Sequence, residues 1–458
     1  MRYVSTRGLA EPVDFVTACM AGLAPDGGLY IPESWPQIAP AGPTETYAEV
    51  ATRVLSAFAG DSLSATAVHT MCTAAYGRFS HHSVAPLVQT GPNAFIMELH
   101  HGPTLAFKDV AMQFIGELYE HVLSTRQETM RVVCATSGDT GGAAASAFAG
   151  RKNIELFILH PHERISPVQR QFMTTTGQSN IHNLAVLGDF DACQNMVKAM
   201  FADPNFVQAV NLSGVNSINW ARIAAQSVYY ATAQAALGPE RALRFIVPSG
   251  NMGDAFAGYV AVRCGLLNGL DMLCAVNENR ALADLLEAGR MQPAPAVQTP
   301  SPAMDISIPS NFERLLFEAA GRQGDTVRTV YETYKQSGAA QLPEQVTGPL
   351  KCMGLNVQAI TNAETETEMR RMQDLTGTLI CPHTAVGTAA AHRHASASDA
   401  DVVLATAHAA KFPETVSEVT GQVPAFPARC ADLEARAEQF EIVEADLVGI
   451  KNFIQARS

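Results

Sequence analysis

The stretch HGPTLAFKD, residues 101–109, places a lysine at the end of a short apolar run. The residues that follow carry apolar side chains at helical spacing, which predicts a helix with Thr104 as its N-cap. Lys108 would then lie near the first turn, where the helix dipole and apolar neighbours both lower the pKa of its amine. A neutral amine can form a Schiff base. Taken alone, the stretch is better explained by an ordinary lysine at a helix start whose side chain extends into water.

A second pattern is SGNMGD, residues 249–254, which lies between the apolar run RFIVP and the small-residue stretch AFAGYVAV. Gly250 and Gly253 let backbone amides approach an anion, and a helix N-terminus behind them favours negative charge. The spacing differs from GxxxxGK[ST] of an ATP P-loop and from the dinucleotide pattern GxGxxG. It predicts a phosphate-binding turn, and the alternative is an ordinary strand–helix turn that needs glycine for its geometry.

A third pattern is SGDTGG, residues 137–142, which opens a helix of small residues. Small side chains bring a helix N-terminus close to a ligand, so Ser137, Thr140 and the backbone amides are candidates for holding a carboxylate. Asp139 is a candidate partner for a phenolic oxygen or a water. The alternative is an aspartate that satisfies the amides of its own turn.

The bulk composition limits the functional classes. The chain has 458 residues, of which 47% are apolar, so large folded domains are expected. Its net charge of −13 argues against nucleic-acid binding, because phosphate contacts need a basic face. No signal-peptide pattern and no apolar run of membrane-spanning length is found, so no membrane association is expected. The nine scattered cysteines show no zinc spacing, so no metal is expected, and reduced thiols fit a cytoplasmic location.

Strand-like and helix-like segments alternate along most of the chain. The runs IELFILHP (154–161) and NLAVLG (183–188) are typical of buried strands. The alternation predicts an α/β fold with mostly parallel sheets, whose ligands bind at the carboxyl ends of the strands. The N-terminal region and the polar stretch 431–458 are predicted to be helical, and the proline-rich 291–304 to be a surface connection.

Together these patterns resemble the threonine synthase family of fold-type-II pyridoxal-phosphate (PLP) enzymes, in its longer bacterial and fungal form. The resemblance rests on the following stretches: DGGLYIPE (26–33), HGPTLAFKD (101–109), ATSGDTG (135–141), RISPVQRQ (164–171), NSINWARI (216–223), VPSGNMGD (247–254), PHTAVG (382–387) and TAHAAKF (406–412).

The resemblance implies two parallel-sheet α/β domains of the tryptophan-synthase-β-like fold, preceded by a mainly helical region. The implied division is a helical region at 1–90, a large PLP-binding domain at 91–130 and 211–458, and a small mobile domain at 131–210. PLP is the implied cofactor, with Lys108 as the catalytic residue that bonds to it covalently. The other implied cofactor contacts are Asp139 at the phenolic oxygen, Thr406 at the pyridine nitrogen, and Gly250, Asn251, Met252 and Gly253 at the phosphate.

The resemblance also implies a small phosphorylated amino acid as substrate. Ser137 and Thr140 would hold its carboxylate, and Asn219 and Arg222 its phosphate, with Lys411 a weaker phosphate candidate. The implied reaction converts O-phospho-L-homoserine and water to L-threonine and phosphate in a monomer or homodimer. The alternatives are a phospholyase that releases 2-oxobutyrate, a dehydratase without a phosphate site, and a non-catalytic PLP-binding protein.

Two positions depart from the family pattern. Cys381 stands where an acidic residue is usual, and Ala409 stands where proline is common. Both departures concern the local geometry around His383 and Thr406. The histidines of these stretches, His383 and His408, are predicted to be structural rather than catalytic.

Overall fold

The computed structural model describes residues 1–394 and 396–457. Its strands are β1 Tyr3–Ser5, β2 Tyr30–Pro32, β3 Leu87–Gly91, β4 Ala94–Glu98, β5 Met130–Ala135, β6 Ile154–Pro161, β7 Ile181–Leu187, β8 Leu212–Ser213, β9 Leu243–Pro248, β10 Asp271–Val276, β11 Arg290–Met291, β12 Ala340–Gln341, β13 Leu355–Ala359, β14 Ala400–Ala405 and β15 Glu441–Glu444.

The α-helices are α1 Phe15–Ala21, α2 Tyr47–Ala59, α3 Ala65–Tyr76, α4 Lys108–Arg126, α5 Asp139–Phe148, α6 Pro167–Thr174, α7 Phe190–Phe201, α8 Pro204–Val210, α9 Trp220–Leu237, α10 Gly253–Arg263, α11 Ala281–Ala288, α12 Phe312–Ala319, α13 Gly324–Ser337, α14 Glu344–Lys351, α15 Asn362–Thr376, α16 Pro382–Arg393, α17 Pro413–Thr420 and α18 Leu447–Gln455. Short 3-10 turns lie at Gly60–Ser62, Pro302–Met304, Ala409–Lys411, Ala428–Cys430 and Leu433–Ala435.

Two larger sheets organise the chain. The first has the order β13-β10-β9-β14-β4-β3 and is parallel except for the antiparallel pair of β3 and β4. The second has the order β15-β7-β6-β5-β8 and is parallel throughout. The predicted α/β class is confirmed, and so are the strands expected at 154–161 and 183–188, since they correspond to β6 and β7.

Helices α4 and α9 form much of the core. In α4 apolar side chains point to several faces, and Val110, Phe114, Leu118 and Leu123 are all fully buried. A helix that is apolar on most faces must be enclosed by other elements. Among the described residues no helix is both long and apolar enough to cross a membrane.

The N-terminal region is mainly helical, as predicted, and packs on α9. Its helices α1 to α3 accompany the two-stranded antiparallel sheet of β1 and β2. The indole ring of Trp220 lies 5.8 Å from the ring of Tyr3 and 5.5 Å from that of Phe58. This packing fixes the start of α9, where the candidate residue Arg222 lies.

The structure corrects the expectation for the C-terminal segment and bears out most of the expectation for the connection 291–304. The stretch 431–458 is not a single helix, because β15 pairs in parallel with β7 before α18 begins. The C-terminal segment therefore joins the second sheet, although the implied division placed it with the large domain. The connection 291–304 is exposed at 294–298, but Ser301 and Met304 at its end are buried.

Candidate active site

The loop between β4 and α4, which leads to Lys108, forms backbone hydrogen bonds with the segment that follows β14. The backbone N–H of Phe107 donates to the Thr406 carbonyl at 2.8 Å, and that of His408 donates to the Leu105 carbonyl at 3.0 Å. Since β4 and β14 are parallel neighbours, both segments leave the same edge of the first sheet. This register places Lys108 and Thr406 beside each other.

Helix α4 begins at Lys108 and its N-cap position is Phe107, three residues later than a Thr104 cap requires, so that part of the prediction is wrong. Leu105 has a φ of 60°, which interrupts helical geometry between the two positions. The Thr104 hydroxyl instead donates to an Asp109 carboxylate oxygen at 2.7 Å. A Cβ on Gly102 would lie 2.4 Å from the Cβ of Asp109, so this compact loop requires glycine there.

Lys108 and Lys411 share one buried carboxylate. The Lys108 Nζ lies 3.0 Å from Asp139 Oδ2, and the Lys411 Nζ lies 2.8 Å from Asp139 Oδ1. Burial lowers the pKa of Lys108, Asp139 opposes this shift, and the positive charges of Lys411 and Arg222 add to it. Burial raises the pKa of Asp139, but the two lysines outweigh it and hold that pKa well below its usual range. The arrangement keeps Asp139 ionised and favours loss of a proton from Lys108.

The SGDTGG turn connects β5 to α5 and carries Asp139 into this cluster. Gly138 has a φ of 143°, and a Cβ there would lie 2.6 Å from the Gln169 side chain. The backbone N–H groups of Ser137, Asp139 and Thr140 donate no hydrogen bond to any described residue, and neither do the hydroxyls of Ser137 and Thr140. These groups meet the requirement for a carboxylate site at the start of α5.

The SGNMGD turn connects β9 to α10. Met252 has a φ of 61°, an uncommon backbone conformation for a side-chain-bearing residue. Within the described residues, none of the backbone N–H groups from 250 to 255 donates a hydrogen bond, whereas those of Ser249 and Phe256 do. The Ser249 hydroxyl is buried and also lacks a partner. A run of free amides at a helix N-terminus is suited to a phosphate.

A buried carboxyl group lies in the first turn of α10. Asp254 Oδ1 accepts hydrogen bonds from the Tyr229 and Tyr230 hydroxyls, and Oδ2 has no partner among the described residues. Burial raises the pKa of Asp254 to about 6, against the opposing effects of the two tyrosines and Lys108. Near neutral pH this carboxyl group therefore holds a proton more readily than an exposed aspartate does.

Arg222 is a buried cation without a carboxylate partner in the part of the chain that the structure describes. Only 3% of the residue is exposed, and its Nη1 donates to the Val215 carbonyl at 3.2 Å. Burial lowers the pKa of Arg222 to about 10, so the guanidinium remains charged at neutral pH. Buried charges are normally paired, so this group is suited to an anionic ligand.

Asn219 has a different role from the predicted phosphate contact. Its side-chain nitrogen donates to the Cys19 carbonyl at 2.7 Å and to the Tyr119 hydroxyl oxygen at 3.2 Å, which uses both of its N–H groups. Its side-chain oxygen accepts from the Ala221 N–H as the N-cap of α9. Asn219 thus orients the helix that carries Arg222, and it has no donor left for a phosphate.

Sequence reasoning missed the contacts that hold the two glycine turns. The Gln169 side chain donates to Asp139 Oδ1 at 3.3 Å, and the Ser310 hydroxyl donates to Asn251 Oδ1 at 2.6 Å. Asn311 donates from its side chain to the Asn251 carbonyl at 3.1 Å. Gln169 could have been found, because it lies in the RISPVQRQ stretch. Ser310 and Asn311 could not, because they follow a proline in a pattern typical of any turn.

Both departures from the family pattern lie near this site. Cys381 caps α16, since its Sγ accepts from the Thr384 N–H at 3.4 Å, as an acidic side chain would do more strongly. Ala409 is buried in the 3-10 turn that leads to Lys411. His408 accepts from the Ala410 N–H, so it has the structural role predicted for it.

Comparisons with known proteins agree with this geometry. Family models match over residues 2–76 (Threonine synthase N terminus), 81–342 (Pyridoxal-phosphate dependent enzyme) and 384–454 (Threonine synthase, C-terminal). A threonine synthase of Pseudomonas aeruginosa is 42% identical, with 99% of this chain and 98% of the relative covered. The crystal structure of PLP-bound threonine synthase from Brucella melitensis has a TM-score of 0.95 at 47% identity, covering 100% and 99% of the two chains. Threonine synthase from yeast has a TM-score of 0.92 at 34% identity, covering 100% and 99%.

The fold and the site define a PLP-dependent enzyme of fold type II, in which a lysine and two glycine-rich turns with free backbone amides come together between two α/β sheets. Within that class, the chain belongs to the threonine synthase family.

The residues present fit the cofactor. The free amides of 250–255 match its phosphate, and the lowered pKa of Lys108 matches a lysine that bonds to its aldehyde. The Thr406 hydroxyl makes no hydrogen bond with any described residue, which leaves it available to a ring nitrogen. The chain therefore offers partners for the main polar groups of PLP.

Replacing Gly250 by alanine is expected to weaken cofactor binding. The new Cβ would lie 2.7 Å from the Ala303 carbonyl oxygen, which as a backbone atom does not move aside without shifting the phosphate-binding turn. Overpacking of this kind costs about 1–3 kcal/mol, so an increase of about 10-fold in the dissociation constant of PLP is expected in equilibrium dialysis. Gly348→Ala is the matched control, because a Cβ at this exposed position of α14 meets no atom within 4 Å. Wild-type PLP affinity in Gly250→Ala would contradict the assignment of this turn.

Proposed function

We propose that the chain converts O-phospho-L-homoserine and water to L-threonine and phosphate. Membership of the threonine synthase family supports this reaction. The observation that carries the proposal is that a buried guanidinium without a carboxylate partner among the described residues, that of Arg222, lies near Lys108. It is close enough for its positive charge to help lower the pKa of the Lys108 amine. A site with both features suits an amino acid that carries a phosphate as its leaving group.

Lys108 has two tasks in this reaction. When bound, the cofactor supplies an electron sink for charge that develops on the substrate carbons. With the substrate bound, the free Lys108 amine would remove the proton from Cα and then one from Cβ, and would later return protons to Cγ and Cα. Phosphate leaves from Cγ, and water supplies the hydroxyl at Cβ. The ion pair of Asp139 and Lys411 remains in place beside the amine throughout.

The ends of the substrate are held by groups that the protein leaves free. Ser137, Thr140 and the amides at the start of α5 bind the carboxylate, and Arg222 binds the phosphate through a planar pair of N–H groups. Asn219 contributes by capping α9 rather than by contact.

Thr406 offers the cofactor nitrogen a neutral hydroxyl instead of a carboxylate. A carboxylate would keep the ring protonated and concentrate charge stabilisation at Cα. A hydroxyl leaves the electron demand weaker, which suits a reaction that continues at Cβ and Cγ. Movement of the segment 131–210 towards the rest of the site would exclude water from the early steps.

The test is a product assay on the purified enzyme with PLP and O-phospho-L-homoserine, in which phosphate, threonine and 2-oxobutyrate are followed together. Equal amounts of phosphate and threonine are expected. Phosphate with 2-oxobutyrate would make the chain a phospholyase, since water would then fail to add at Cβ. Absence of phosphate release would overturn the role of Arg222 and favour a dehydratase or a PLP-binding protein.

The proposed setting is the cytoplasm, which suits nine cysteines that are all free. The proposed assembly is a monomer or a homodimer that acts on this small phosphorylated amino acid.

A further inference from the structure

His383 is held in one tautomer by a backbone contact. The ring is buried, 4.8 Å from the ring of Phe412, and its Nε2 lies 3.2 Å from the backbone nitrogen of Ala303. A backbone N–H can only donate, so Nε2 must accept and carry no proton. The proton of the neutral ring is therefore on Nδ1.

The Nδ1–H group has no acceptor among the described residues, although the atom is fully buried. A buried donor without a partner costs about 1–3 kcal/mol, so such groups are uncommon unless a ligand or water satisfies them. His408 provides the contrast, because its Nδ1 accepts from the Ala410 N–H and its position is structural. The prediction that His383 is also a satisfied structural histidine is therefore wrong.

His383 lies between the cluster of Lys108, Asp139 and Lys411 and the glycine turn at 249–254, which together line the proposed ligand-binding cleft. The charges that act on its ring are those of Asp139, Lys108 and Lys411, and burial together with the two lysines lowers its pKa to about 4 against the opposing effect of Asp139. On the other side, Ala303 contacts the phosphate-binding turn, since its carbonyl lies against Gly250. A neutral ring between these two groups acts as a fixed hydrogen-bond donor, and it does not donate its proton to the reaction.

We propose that the Nδ1–H of His383 donates a hydrogen bond to an anionic oxygen of the bound ligand and thereby positions it. Two sources share this chemistry, namely the phenolic oxygen of the cofactor and the carboxylate or phosphate of the substrate. The inference deepens the proposed function, and it rests on the same cleft. It assigns His383 a positioning role, which its Nδ1–H can fill because no described residue accepts that hydrogen bond.

The first experiment measures binding and spectra rather than turnover. His383→Leu removes both nitrogens, and His383→Asn retains a side-chain N–H close to the position of Nδ1. Loss of a bond to a charged oxygen is expected to weaken binding roughly 10- to 100-fold in the leucine variant, with most of the affinity restored by asparagine. His392→Leu and His392→Asn, on the exposed end of the same helix, are the matched controls and should match the wild type.

The two sources give different results in this experiment. If the acceptor is the cofactor, His383→Leu shifts the absorption maximum of the bound cofactor and raises its dissociation constant in dialysis. If the acceptor is the substrate, both remain unchanged, and the affinity for a non-reacting phosphonate analogue of the substrate falls. Wild-type spectrum and wild-type affinity for both ligands in the leucine variant would overturn the proposal.

A measurement on the unmodified protein covers the case in which the leucine variant does not fold. In protein with ¹⁵N-labelled histidine, the His383 signal, assigned through the asparagine variant, should show the Nδ1–H tautomer at neutral pH. Its proton should move downfield when the cofactor or the analogue binds, and an unchanged signal with both would overturn the proposal. Because turnover is not measured, a failed product assay would contradict the proposed reaction and leave this result standing.

Discussion

Replacement of Lys108 by alanine is expected to abolish the covalent attachment of the cofactor and to reduce threonine formation by a factor of at least about 10³. The amine is expected to bond to the cofactor and also to move protons at three carbons, so no other group replaces all of its tasks. Lys411 cannot substitute, because its Nζ is fixed between Asp139 Oδ1 and the Thr104 carbonyl, 2.9 Å away. The cofactor should still bind reversibly, since the free amides at 250–255, which are the proposed phosphate site, are unchanged.

Borohydride reduction followed by mass analysis of the protein measures the covalent link. The wild type should retain the mass of the reduced cofactor, and Lys108→Ala should not. Lys108→Arg keeps the ion pair with Asp139 but cannot form the bond, so it should behave like the alanine variant. Lys335→Ala, on the exposed surface of α13, is the control. Retention of the adduct or of substantial turnover in Lys108→Ala would exclude Lys108 as the cofactor lysine.

Several features of this site could be predicted because their signal is local. A lysine after an apolar run, and glycines between a strand and a helix, identify Lys108 and the two turns within short windows of sequence. The direction of the Lys108 pKa shift also followed from burial near a helix start, and the structure agrees. The effect of Asp139 on the pKa of Lys108 could not be predicted. Asp139 is 31 positions away and follows a strand of the second sheet, so its contact with Lys108 depends on how the two sheets pack.

The features that sequence reasoning missed depend on distant partners. Asn219 looks like a phosphate ligand in the NSINWARI stretch, yet its amide is bonded to Cys19, 200 residues earlier in the chain. The strand β15 has three exposed residues out of four, so its hydrophobic pattern does not distinguish it from a polar connection. Its pairing with β7 becomes visible only when the complete sheet is assembled. Likewise, the unpaired nitrogen of His383 is identified only by the contact of its other nitrogen with Ala303.

Replacement of Arg222 by glutamine is expected to lower kcat/KM for O-phospho-L-homoserine by roughly 10²–10⁴-fold. The estimate corresponds to two hydrogen bonds to a charged group, each worth about 1.5–3 kcal/mol. Arg222→Lys keeps the charge but loses the planar pair of donors, so a smaller loss is expected. The cofactor spectrum should remain close to that of the wild type in both variants, because Arg222 is proposed to contact only the substrate phosphate.

Arg244→Lys is the matched control for a buried arginine. Its guanidinium forms two hydrogen bonds with Asp401, at 2.9 and 2.8 Å, at the start of β9 and therefore at the opposite end of the strand from the phosphate-binding turn. This variant should lower the free energy of unfolding in urea without changing KM. In Arg222→Gln the change should instead appear in the kinetics, and inhibition by a phosphonate analogue should weaken in parallel with kcat/KM. If Arg222→Gln lost only stability and kept wild-type kcat/KM, the unpaired guanidinium would be a structural group, and the substrate phosphate would have to bind elsewhere in the cleft.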